Sequence, residues 1–167
     1  MNVRELQRPL KDRYRADAGA AKITLRARGE SGENAMACSV DIGRALYDAQ
    51  AHSGVGGAGT AACSGDLLLG ALAACAQITC QLVAAGMGLD VRRVEVTVEG
   101  DLDLRGTLGV DAEAPVGFEE IRTRFDVDAP DATPEQLDKL RDRTERYCVV
   151  YQTLAHPGGL VTEWATG

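Results

Sequence analysis

The stretch CSGDLLLGALAACAQITC, residues 63–80, carries three of the chain's five cysteines, Cys63, Cys75 and Cys80; the others are Cys38 and Cys148. A cysteine does chemistry as its thiolate, which attacks electrophiles, binds soft metals or exchanges with disulfides, and a nearby cation or dipole must hold the charge. Packing is the competing use, because free cysteine behaves as a small hydrophobe and is among the most buried residue types. A metal centre is not expected. The cysteines form no CxxC pair, and the two histidines, His52 and His156, are far apart. Cys75 and Cys80 are five residues apart, about 140° around a helix axis, so they cannot bond each other while the helix persists. Any reaction partner must come from elsewhere.

The segment SGVGGAG contains GxGxxG at Gly54, Gly56 and Gly59. A dinucleotide site needs a strand before this motif and a helix directly after it, with a suitably spaced acid beyond. What precedes here is DAQAHS, and no such acid follows. A flexible linker is expected, and no nicotinamide cofactor.

A chain of 167 residues fits one domain, which buries roughly 70% of the surface of its unfolded form. An apolar fraction of 45% and a charged fraction of 26% describe a folded protein. The net charge of −7 argues against sequence-independent nucleic-acid binding, which needs clustered Lys and Arg. The opening MNVRELQRPLKDRYRADAG is charged and lacks a signal-peptide core, so a reducing cytoplasm without persistent disulfides is expected. Residues 67–85 are nearly free of charge and would make a helix about 30 Å long, close to a bilayer's hydrocarbon thickness. Gln77, Thr79 and Gln81 interrupt the run and no basic flank orients it, so a helix enclosed by protein is expected instead of a membrane span.

The elements that must position these residues follow from periodicity. KITLRAR and AMACSVDI read as strands. The glycine segment leads into the apolar helix, with Ser64 as N-cap, Asp66 as a first-turn acid, and Gly86 or Gly88 as the stop. The even positions from Val94 to Val110 alternate as strand, with a bulge or turn at Gly100 or Gly106, and Ile121, Thr123, Phe125 and Val127 alternate on odd positions. TPEQLDKLRDRTERYCVVYQTL opens with a capping box at Thr133 and Gln136 and reads as one amphipathic helix, with Cys148 on or beside its buried stripe. LVTEW reads as a closing strand. About six strands and two main helices, with the strands in blocks, indicate an α+β fold. Residues 1–20 read as an arm and 21–167 as a single domain.

GDLLLGALAAC, followed about seventy residues later by TERYCVVYQTL, resembles the OsmC/Ohr family of thiol-dependent hydroperoxide reductases, over residues 20–165. The resemblance implies sheets wrapped around apolar central helices in an intertwined homodimer. It implies a cytoplasmic peroxidase without cofactor or metal, in which Cys75 attacks an organic hydroperoxide and Cys148 resolves the sulfenic acid as a disulfide. An external dithiol then resets the enzyme. An apolar pocket around Cys75 would favour organic substrates.

The sequence also departs from the family pattern. Asp66 is the only acid near the helix opening, where peroxide-reducing members carry Glu, and Val149 replaces the usual Pro after the second cysteine. The family's N-terminal arginine corresponds to Arg15 or Arg26, with Arg13 competing. Two other readings stay open: a non-catalytic OsmC-like protein binding an apolar small molecule, and a redox-sensing interaction protein using Cys38, Cys63 or Cys80. Neither nucleic acid nor membrane is an expected partner.

Overall fold

The computed structural model describes residues 3–25, 27–31, 37–41 and 45–165. Its backbone groups into two compact units, Met1–Ala71 with Thr97–Arg124, and Leu72–Val96 with Phe125–Gly167. The fold is α+β.

The first unit opens with helix α1 (Val3–Ala16) and a 3₁₀ turn over Ala18–Ala21. Strands β1 (Arg28–Ser31), β2 (Ala37–Asp41) and β3 (Leu46–Gln50) then form an antiparallel sheet in that order. The expected strand at KITLRAR is not formed there. Residues 22–25 have no regular structure, and Ile23 and Leu25 are exposed, because the strand paired with β2 begins only at Arg28. β3 escapes sequence reading because LYDAQ lacks alternation; its buried anchor is Ala49. The glycine segment is no open linker. His52 caps a 3₁₀ turn over Ser53–Val55, and Gly56 takes a left-handed φ of 94° that other residues adopt only with strain.

Helix α2 spans Ser64–Met87. It starts one residue earlier than a Ser64 cap would allow, so Cys63 occupies the capping position: its carbonyl accepts from the Leu67 N–H at 3.1 Å. Asp66 reaches back to the Cys63 N–H at 2.9 Å, the acidic half of a capping box. The far end closes at Gly88, whose φ is 73°. The Gly88 N–H bonds to the Ala85 carbonyl and the Leu89 N–H to that of Ala84, a Schellman motif. Length and composition alone would let α2 cross a membrane. Its residues Leu72, Ala76, Cys80 and Ala84, spaced every four positions, are instead buried.

Strands β4 (Arg93–Leu102) and β5 (Phe118–Asp128) form the second sheet and show the expected alternation. The alternating pattern does not continue as strand to Val110. Asp103 caps a helical turn, α3 (Leu104–Thr107), by accepting from the Arg105 N–H at 3.0 Å. Helix α4 (Pro134–Tyr147) has the expected capping box, with the Thr133 hydroxyl accepting from the Gln136 N–H and the Gln136 side chain from the Thr133 N–H. The expected single helix then breaks at Cys148, and α5 (Val149–Ala155) follows. No closing strand forms, since Leu160, Val161 and Trp164 are exposed in irregular chain. Among the described residues there are five strands where about six were expected.

In the second unit Cys80, Ala84 and Leu140 form the core, flanked by Val83, Leu89, Val94, Phe125 and Val127. Leu140→Ala is expected to lower the unfolding free energy by about 2–5 kcal/mol through the cavity it leaves. Thr133→Ala, which removes only the cap, should cost about 1 kcal/mol. Denaturant titration of both variants checks the order.

Candidate active site

Cys148 stands at the junction of two helices. Its N–H donates to the Thr144 carbonyl at 2.9 Å and closes α4, while its carbonyl accepts from the Gln152 N–H at 2.9 Å and opens α5. Its backbone between them is extended, with φ −74° and ψ 107°. The Gln152 side chain straps the junction by donating to the Glu145 carbonyl at 2.9 Å. The break has a chemical effect. The first N–H groups of a helix lack intrahelical acceptors, and those of Val149 and Val150 are near enough to the Cys75 sulfur to favour its thiolate.

Cys75 and Cys148 are thus neighbours that influence each other's ionisation, both reduced, Cys75 half-buried and Cys148 1% exposed. Burial pushes the Cys75 thiol up. The nearby Val150 N–H, Cys148 thiol, Thr79 hydroxyl and Val149 N–H together outweigh burial and hold it below the ordinary thiol range. Cys148 moves the other way. Burial raises it most; the Tyr151 N–H opposes this, the neighbouring Cys75 raises it further, and the Val150 N–H opposes least. The two sulfurs are therefore unequal: Cys75 is lowered and Cys148 raised.

Residues 57–161, more than half of the chain, match the family model of the OsmC-like proteins. The chain belongs to that family. No curated protein matches it. Among solved structures it is similar to an OsmC-like protein from Mycoplasma pneumoniae, with TM-score 0.66 and 16% identity over 81% of this chain and 90% of that one. An organic hydroperoxide resistance protein OsmC from Legionella pneumophila gives 0.61 and 18%, over 80% and 90%. An organic hydroperoxide resistance protein from Elizabethkingia anophelis gives 0.60 and 17%, over 81% and 91%. Identities this low speak to the fold alone.

The other residues picked out in this OsmC-like chain lie in different surroundings. Asp66 is bonded to Cys63, whose N–H, then thiol, hold the carboxyl below its usual range against a smaller opposing effect of burial, with a lesser contribution from nearby His52. Arg15 is exposed on α1 and paired with Asp12 at 2.7 Å, and Arg13 is exposed on the same helix. Arg26 lies outside the described residues. Cys38 pairs with Ala49 in the sheet register. Cys80 is buried and pushed up by that burial; the buried Thr144 hydroxyl faces it but makes no hydrogen bond of ordinary geometry. Neither of two cavities, about 240 and 350 Å³, has Cys75 or Cys148 in its lining. Sequence reasoning passed over Thr79, although a hydroxyl one helical turn beyond a cysteine is a legible signal. The Val149 and Val150 donors carry no such signal, since they are backbone groups.

Alkylation by iodoacetamide tracks the thiolate fraction. Because Cys75 is lowered and Cys148 raised, Cys75 should reach its plateau rate at lower pH than a free thiol, and Cys148 should react only at higher pH. Mass spectrometry of peptides alkylated across the pH range reads both. Faster labelling of Cys148 at neutral pH would reverse the assignment.

Proposed function

We propose that this OsmC-like protein is a thiol-dependent peroxidase acting on organic hydroperoxides. The observation that supports it is the pair of neighbouring, oppositely tuned thiols, Cys75 and Cys148. The Cys75 thiolate attacks the terminal oxygen of the hydroperoxide and the O–O bond breaks. The departing alkoxide takes a proton and leaves as the alcohol, while Cys75 becomes a sulfenic acid. Cys148 then attacks that sulfur, water leaves, and the Cys75–Cys148 disulfide forms. An external dithiol reduces it by exchange. Backbone N–H groups and Thr79 stabilise the charge on Cys75 in this scheme. The reducing step suits a cytoplasmic setting.

Cys75→Ser should abolish peroxide consumption, because a serine hydroxyl is barely ionised near neutral pH. Cys148→Ser should consume one equivalent and then over-oxidise at Cys75, since the condensation that protects it is missing. Intact mass separates the outcomes: loss of two hydrogens in the parent protein, added oxygens in Cys148→Ser. If both variants behave like the parent, neither cysteine is the reaction centre.

We also propose a homodimer. On α2, Ile78 is 55% and Leu82 40% exposed, at i and i+4 on one face. The fully buried apolar residues among those described are few, and apart from Leu72 and Leu140 all are Ala or Cys. A chain this long ordinarily buries far more. Light scattering at micromolar concentration should give twice the chain mass; a well-folded monomer would refute the dimer.

A further inference from the structure

In the first unit, Gly65 and Leu69, one helical turn apart on α2, line a cavity of about 240 Å³. Its walls are apolar, made by Leu69, Leu102, Leu104 and Phe118. Two glycines make room for the aromatic ring. A Cβ at Gly100 would stand 2.6 Å from Phe118 ring carbons, and one at Gly65 would stand 3.3 Å from its Cζ. Leu104 is seated in the same way on Gly54, where a Cβ would come within 2.4 Å of its Cδ1.

The polar end of the cavity holds His52, Cys63 and Asp66. His52 accepts the Gly54 N–H at Nδ1, 3.0 Å away. Cys63 gives its N–H to Asp66 at 2.9 Å. Among the described residues Asp66 is the only acid in the lining, and no Lys or Arg lines it. Its carboxyl is kept ionised by Cys63, and a carboxylate has acceptor sites beyond those Cys63 uses. A negative charge at the end of an apolar cradle rejects anions. Metal binding is not favoured either, because among the described residues no three His, Cys, Asp or Glu side chains converge as a metal site requires. The volume is below the range of about 300–1,000 Å³ for drug-sized ligands, which points to a small occupant.

We propose that this cavity binds a small organic cation, a primary ammonium on an apolar body of about benzyl size. The ammonium would lie on Asp66 and the body against Phe118 and the three leucines. Nothing in this proposal depends on the reactivity of Cys75 or Cys148.

Calorimetric titration of the full chain with benzylammonium, benzyl alcohol and benzoate at neutral pH tests it. Benzylammonium should bind saturably, benzyl alcohol roughly tenfold more weakly, as a lost hydrogen bond to a charged group implies, and benzoate not at all. Asp66→Asn keeps an acceptor for the Cys63 N–H and removes the charge. It should weaken benzylammonium roughly tenfold and leave benzyl alcohol unchanged. Leu102→Trp, at a residue 40% exposed, fills the cavity and should abolish binding of both. No saturable binding of benzylammonium to the parent, equal binding of benzylammonium and benzyl alcohol, or undiminished binding to Leu102→Trp would each overturn the proposal. If circular dichroism shows Asp66→Asn unfolded, the three probes on the parent and the Leu102→Trp variant decide it.

Discussion

A sulfur anion in a half-buried position must be held by donors that give up nothing else to reach it. Here those donors come from the break at Cys148. Had α4 continued unbroken, the N–H groups of Val149 and Val150 would bond within the helix and could not face Cys75. The extended backbone of Cys148 frees them and at the same time carries the second thiol to the first. The surrounding structure fixes this arrangement. The Gln152 side chain ties α5 to α4, the Thr133–Gln136 capping box sets where α4 begins, and Leu140 and Thr144 bury its inner face.

Comparing three cysteines of the second unit separates burial from tuning. Cys75, Cys80 and Cys148 are all subject to burial that disfavours the thiolate, and for each it is the largest influence. Only Cys75 ends below the ordinary range. Its distinction is the number of donors that reach it: two backbone N–H groups, a hydroxyl and a thiol. Cys80 has only the loosely placed Thr144 hydroxyl. Burial alone makes a cysteine inert, and convergent donors make one reactive.

The helix that carries Cys75 is apolar on more faces than its own chain covers. One face, with Leu72, Ala76, Cys80 and Ala84, is buried, while Ile78 and Leu82 remain open. Further open apolar residues, Ile23, Leu25, Leu160 and Trp164, lie in irregular segments near both ends of the chain. A second copy would cover such surface at no cost in new sequence, and an isologous contact lets one patch serve both partners.

Features governed by neighbours along the chain were legible in the sequence. The capping box at Thr133, the Gly88 stop of α2 and the alternation in β4 and β5 all depend on residues a few positions apart. The α+β class follows from their order. Features governed by distant partners were not legible. KITLRAR alternates like a strand, yet a strand needs a neighbour, and β2 pairs elsewhere. LVTEW pairs with no strand among the described residues. Leu104 and Leu108 keep the period of β4, but the Asp103 side chain captures the Arg105 N–H and turns the backbone. At the candidate site, residue types and a family resemblance singled out Cys75 and Cys148. Their inequality was decided only in three dimensions, because it rests on the direction of backbone N–H groups, and every residue but proline carries the same N–H.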